Sequence, residues 1–347
     1  MRTYLDHNAT TPMRAEARAA MIAALDVVGN PSSVHGEGRA AKGVVEKARA
    51  QVAAAMGADG ADVIFTSGAT EAAALAMAGR ELHVCDVEHD AVLAWGISDL
   101  DSDELGLVSV SDPLVTALQM ANSETGILQD LPDGLALSDM TQAFGKLPLA
   151  FNWTGATMAL ISAHKLGGPK GIGALVVKRG TDVPALLKGG GQEMGRRAGT
   201  ENIAAIAGFG AAATAAAHDL ANGLWDRVAA MRDLLEKAIE AGAPGATIVG
   251  KGAQRLPNTS CIITPGWKGE TQVMQMDLAG FAISAGSACS SGKLRASNVL
   301  RAMGFNEAEA SGAIRVSLGP ETTEDDVLRF ADIWLAKHRK FAPQGAA

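Results

Sequence analysis

The sequence is short of cysteine, of positive charge and of long apolar runs, and each shortage removes a class of protein. Its three cysteines, Cys85, Cys261 and Cys289, are odd in number and widely separated. That excludes a disulfide framework and a CxxC metal site, so no metal centre is expected and any special cysteine acts as a thiol. Acidic residues outnumber basic ones, 38 to 30, for a net charge of -8. Such a chain offers no bulk surface for nucleic acid or anionic membrane, and small substrates are expected instead. The longest uncharged stretches, such as 202–217, are alanine and glycine rich and read as too weakly apolar to span a bilayer. At the N-terminus, Asp6 and His7 stand where a signal peptide needs its apolar segment, so the expected location is the cytoplasm. There is no single-sign charge block, low-complexity linker or internal repeat.

What is present describes a folded α/β protein. Hydrophobic residues make up 48% of the chain and charged residues 20%. At 347 residues it exceeds the roughly 250–300 at which single cores stop growing, so two unequal domains are expected. Helical patterns at 15–25, from about 33 to 56, and at 69–78, 204–220 and 224–241 alternate with short apolar runs at 63–65, 81–87, 115–120, 135–137, 158–162 and 173–177. Each run ends in polar residues, which indicates a mostly parallel sheet with its ligand site at the strand C-termini. Beyond Thr247, short strands (247–249, 259–264, 281–284, 313–318) and helices (271–278, 297–303, 324–338) predict a smaller α+β domain. The expected division is 12–220 for the large domain and 1–11 with 221–347 for the small one.

The stretch Met158 to Lys170, MALISAHKLGGPK, ends a buried strand in Ser162, His164 and Lys165 before a glycine-rich turn. A lysine delivered there is placed for covalent chemistry, and pyridoxal phosphate (PLP) is the cofactor that uses one. PLP also needs a carboxylate at its ring nitrogen, a stacking partner, a phosphate cradle and an anchor for the substrate carboxylate. Asp139 can supply the first and His89 the second. The Ser67 to Thr70 turn, where a strand feeds a helix N-terminus, can hold phosphate together with Ser162 and His164. Arg315 in AIRVSLG suits a bidentate grip on a carboxylate. Cys85 and Cys261 lie in strand-like runs as small hydrophobes. Cys289, in SAGSACSSGKLRAS, lies in a small, polar stretch that reads as an accessible loop.

The motifs YLDHNATTP, GNPSSVHGEG, VIFTSGATEAA, VEHDAVL, ANSETG, TQAFGKLP, SAHKLGGPKGIGAL, GGGQEMGRRAGTEN, SAGSACSSGKL, VLRAMG and IRVSLG occur in order along nearly the whole chain. In this the sequence resembles the cysteine desulfurases of the NifS/IscS type, PLP enzymes of fold type I related to the class V aminotransferases. The resemblance implies Lys165 as the Schiff-base lysine, His89 as the stacking residue, and Ala69, Thr70, Asn122, Asp139, Gln142, Ser162 and His164 around the cofactor. It further implies Asn122 and Arg315 on the substrate, Thr200 acting on the cofactor phosphate across a homodimer, and Cys289 as the nucleophile. The implied reaction converts L-cysteine to L-alanine, with the sulfur held as a persulfide on Cys289 for an iron–sulfur scaffold or another acceptor protein. A thiolate is required, and a free cysteine has a pKa of about 8.5. His89, or Lys293 and Arg295 in the loop itself, are candidates for lowering it.

The chain departs from the family between His89 and Asp139, where it is markedly shorter, and at Met194, Ser123, Ala163 and Leu137, which replace arginine, asparagine, glycine and histidine. Selenocysteine lyase, another class V aminotransferase and a non-catalytic scaffold are the alternative readings.

Overall fold

The computed structural model describes residues 2–286 and 296–341. In chain order, the first part comprises β1 (Thr3–Tyr4), α1 (Ala15–Leu25), α2 (Gly36–Met56), β2 (Asp62–Thr66), α3 (Ala69–Met77), β3 (His83–Cys85), α4 (Asp90–Leu93), β4 (Ile97–Leu100), β5 (Leu137–Asp139), β6 (Met158–Ser162), β7 (Gly173–Val177), α5 (Ile203–Ala221) and α6 (Leu224–Gly242). Strands are ordered β2-β7-β6-β5, with β3 and β4 paired separately. Isolated parallel bridges join His83 to Thr116 and Ala117 to Leu137, so residues 116 and 117 stitch the two groups into one layer. Only β7 runs against its neighbours. The reason is the connection 163–172, which holds one 3-10 turn and is too short for the helical crossover that a parallel return requires.

Every residue of β6 and β7 is buried, as in a sheet covered on both faces. Phe65, Ile161 and Val176 pack with Val45, Val52 and Phe209 on the α2 and α5 side. Ile64, Leu160 and Leu175 pack with Leu75 and Ala76 of α3 on the other. Helix α5 is long and apolar enough, by length and composition, to cross a membrane, but half of its most apolar window is buried inside the fold, as a core helix is. It packs against α1 and α2, and the approach is close: a Cβ at Gly210 would lie 2.7 Å from the Cα of Ala48.

The second part comprises β8 (Thr247–Ile248), β9 (Thr259–Ile263), α7 (Gly269–Leu278), β10 (Phe281–Ala282), β11 (Ser284–Ala285), α8 (Asn298–Ala302), α9 (Glu307–Ser311), β12 (Ala313–Ser317) and α10 (Glu324–His338). An antiparallel sheet, β11-β12-β9-β8, packs Ile262, Ile314 and Val316 against Trp267, Phe330 and Trp334. The expected strand at 281–284 is two strands, because β10 pairs with β1 while β11 pairs with β12. Through β1 and the bridge from Asp6 to Ser317, the N-terminal segment is sewn into this second part before it runs on toward Lys165.

Candidate active site

A cavity of about 550 Å³ opens where β2, β5 and β6 end, between the β2–α3 turn and the N-terminal segment. Of the residues expected at the site, Ala69, Thr70, His89, Asp139, Gln142, Ser162, His164 and Lys165 line it. Asn122, Thr200 and Arg315 do not, and Cys289 lies outside the described residues.

Lys165 ends a 3-10 turn that begins as β6 ends, and its Nζ donates to the backbone carbonyls of Asn8 at 2.7 Å and Ala9 at 2.9 Å. The chain can turn away at once because Gly167 takes φ 86°, and a Cβ there would meet Arg14 Cγ at 2.7 Å. Arg14 Nε and Thr11 Oγ1 donate to the carbonyls of Leu166 and Lys165 at 2.7 and 3.1 Å, fixing the turn to the N-terminal segment. His164 sets Nδ1 3.2 Å from Thr10 Oγ1. Burial, with Lys165 and Lys170 nearby, lowers its pKa to about 4, so its ring is neutral at physiological pH.

His89 caps α4: its Nδ1 accepts from the Ala91 amide at 3.1 Å, which leaves Nε2 to carry the proton of the neutral ring. Asp139 ends β5, and its Oδ1 accepts from the Thr141 amide at 2.8 Å. The neighbouring Glu88 is buried, with its pKa pushed well above the usual carboxyl value by desolvation and further by the charge of Asp139. Its Oε1 accepts the Gln119 amide at 2.5 Å.

The first turn of α3 presents backbone N–H groups to the cavity. Glu71, in that turn, accepts from the Ser67 amide at 2.7 Å and pairs with Arg197 at 2.8 Å. Two further ion pairs pin the glycine-rich loop that carries Arg197: Arg196 with Asp62 and Arg49 with Glu193, both at 2.7 Å. Glu193 and Met194 there take φ of 47° and 58°, a left-handed backbone that side chains disfavour. The buried Glu193 carboxylate offsets that cost by holding Arg49 through both oxygens and accepting the Phe65 amide. Thr200, exposed at the end of this loop, lines a separate hollow that shares Ser67 and Gly171 with the main cavity.

Asn122 lies buried beneath the cavity and is occupied by the protein. Its Nδ2 donates to the Val87 carbonyl at 3.0 Å, and its Oδ1 accepts the amides of Glu124 and Thr125 at 2.8 and 2.9 Å. Arg315 is buried in β12 against Asp6 at 2.8 Å and the Ser123 carbonyl at 3.1 Å, and among the described residues its Nε has no partner.

Sequence reasoning passed over Asn8 and Ala9, which come to Lys165, and Thr10, which comes to His164, from more than 150 positions away. It also missed Gln119, Thr141, and the buried Glu88, Glu124 and Lys146. The polar run DHNATT, between two extended stretches, was the signal available for the first group.

The class-V aminotransferase family model matches residues 3–96 and 98–330. The chain belongs to that family. A cysteine desulfurase of Cereibacter sphaeroides is 38% identical over 96% of this chain and 94% of its own length. A solved NifS-like protein from Rickettsia africae superposes with a TM-score of 0.89 at 31% identity, covering 98% of this chain and all of the other. A structure described as SspA in complex with cysteine has a TM-score of 0.77 at 27% identity, over 92% of this chain and 100% of the other. The expected fold type I architecture, the mostly parallel sheet and the PLP cofactor of this class all hold. The cavity suits that cofactor. Among the described residues, Thr141 Oγ1 is buried without a partner in its wall, and open space lies where a Cβ at Gly68 would point.

Proposed function

We propose that this chain is a cysteine desulfurase that releases L-alanine from L-cysteine and holds the sulfur as a persulfide on Cys289. The observation that carries the reading is the convergence, in one cavity, of Lys165, Asp139, His89 and the α3 N-terminus. Similarity to cysteine desulfurases over nearly the full chain supports it. PLP, held by Lys165, Asp139, His89, Gln142, Thr70, Ser162 and His164, supplies the electron sink that stabilises negative charge at the substrate Cα.

The protein's own groups then have separate tasks. The carbonyls of Asn8 and Ala9 orient the Lys165 nitrogen, which takes and returns the Cα proton. Asn122 and Arg315 are assigned to the substrate carboxylate. The Nε of Arg315, which has no partner among the described residues, supports that role, which requires Arg315 to turn from Asp6 or to share it. At Cys289 the thiolate forms an S–S bond to the substrate sulfur as the C–S bond breaks. The electron pair of that bond stays with carbon, which is protonated to give alanine. His89 is assigned to hold a proton, with its Nδ1 committed to the Ala91 amide.

In the same reading, residues 12–220 form the cofactor-holding domain and 1–11 with 221–347 the smaller one, which the separate hydrophobic clusters support. The active form is a homodimer in the cytoplasm with Thr200 on the partner's cofactor phosphate. The sulfur passes to an iron–sulfur scaffold or another acceptor protein, with no membrane or nucleic acid involved. The test is sulfide and alanine release from L-cysteine with PLP and a reductant. Lys165→Ala is expected to lower both at least ~10²-fold, and Cys289→Ser to abolish sulfide release. Full sulfide release by Cys289→Ser would refute the persulfide step.

A further inference from the structure

We infer that Lys146 is a positioning residue that sets the donor direction of Gln142 and the resting place of the Lys165 nitrogen. Lys146 is 2% exposed and follows Gly145 in the turn after β5. Its Nζ donates to Gln142 Oε1 at 2.7 Å and Asn8 Oδ1 at 2.9 Å. An ammonium only donates, so both amide oxygens must face it and both amide nitrogens must face away. Gln142 Nε2 therefore points to the Asn8 carbonyl at 3.0 Å, which presents N–H rather than C=O on the cavity side. Asn8 Nδ2 correspondingly donates to Thr259 Oγ1 at 2.8 Å and the Ser123 carbonyl at 3.1 Å, while Asn258 adds a second donor to its Oδ1 at 3.1 Å. The Asn8 carbonyl fixed in this way is the one that accepts Lys165 Nζ at 2.7 Å. One buried cation thus orders two amides and, through a shared carbonyl, the lysine of the site.

The charges that bear on Lys146 are Lys165 and Arg315, both basic; His7, whose pKa burial and Lys146 lower to about 4, faces it as a neutral ring, and Asp6 is engaged by Arg315. A buried ammonium among basic neighbours is costly to keep: burial, Lys165 and Arg315 all lower its pKa, and the two amide oxygens it meets are what offsets that. Packing alone would favour Met at this position, which points to a task beyond packing.

The inference rests on the PLP reading, and the test separates the two. Wild type, Lys146→Met and Lys146→Arg are loaded with PLP. The visible absorbance of the bound cofactor is titrated with pH, its loss on dialysis is timed, and the thermal midpoint of each protein is recorded. Lys146→Met is expected to keep or raise the thermal midpoint. It should lose cofactor several-fold faster and move the absorbance titration upward by about 0.5–1 pH unit, because a like charge beside Lys165 is gone. Lys146→Arg keeps a cationic donor and should restore the titration. Wild type with no cofactor band overturns both readings. A normal wild-type band with an unshifted Lys146→Met titration overturns this one alone, as does an equal shift in the Arg and Met variants. Should Lys146→Met fail to fold, Gln142→Glu decides: it keeps a partner for Lys146 but removes the donor, and wild-type cofactor retention in it refutes the inference.

Discussion

Glu124 is a carboxyl held away from water between two parts of the chain. It accepts Ser297 Oγ at 2.5 Å, lies beside Arg315 and His89, and has its pKa raised to about 7, chiefly by burial. The folded state therefore holds this proton more tightly than the unfolded chain, whose glutamates titrate near 4.5. Stability from this group is complete below pH 4.5 and declines as pH rises through 7, by about 3 kcal/mol in all. Glu124→Gln keeps an acceptor for Ser297 and cannot ionise. Urea unfolding at pH 5 and pH 8 should show the variant gaining about 3 kcal/mol on the wild type between the two. Parallel pH trends would contradict the assignment. His7 has the opposite sign. Its pKa is lowered to about 4 by burial, then by Lys146, so its contribution is present above pH 6.5 and is lost as pH falls toward 4. His7→Gln should thus flatten the loss of stability between pH 6.5 and 4, read from the same urea midpoints.

At the scale of elements, the N-terminal segment is the part that joins the second sheet to the lysine. After β1 it bridges to β12, with His7 N donating to the Ser317 carbonyl at 3.1 Å, and then delivers the carbonyls of Asn8 and Ala9 to Lys165. Gly319 makes that path possible: a Cβ there would sit 1.9 Å from His7 Cε1. The His7 ring cannot yield, since it is buried and packs edge-on against Tyr4. Gly319→Ala should therefore cost roughly 3 kcal/mol or more and weaken PLP binding with it; calorimetry and a cofactor titration check this, and an unchanged Tm would sink it. Such a contact is not legible in sequence, because it joins residues 312 positions apart. Local elements were legible: α1, β7 and α10 fall within the bounds that periodicity and capping predict, and the strand-to-glycine turn at Lys165 announced its chemistry. The strand expected at 115–120 is reduced to bridges at Thr116 and Ala117, and its first residue, Val115, belongs to a 3-10 turn that Asp112 caps. Strand β4 went unseen because its residues are mostly exposed and lack an apolar pattern. Lys146 reads in sequence as one basic residue among 30, and the burial that it shares with Arg315 is not legible there.

At the scale of the whole molecule, the decisive question is which copy of the chain completes the phosphate end of the cavity. Thr200 lines a hollow with Ser67 and Gly171 of its own chain, so action within one chain is a real competitor to action across a dimer. Its loop is pinned to its own β2 and α3 by Arg196–Asp62 and Arg197–Glu71, which holds Thr200 on the outer side of the Ser67 turn. An exposed residue held rigidly at the edge of a cradle is suited to meet a partner. Complementation between two defective chains tests this. Thr200→Asp places a carboxylate where phosphate charge would collect and should impair any site it faces; Lys165→Ala disables the site of its own chain. In a purified mixed dimer of the two, action across the interface leaves one site intact, because the chain with Lys165 receives Thr200 from its partner. Activity per dimer should then approach half that of the wild type, although each parent dimer is nearly inactive. Action within one chain leaves no intact site, and the mixed dimer would be as inactive as its parents.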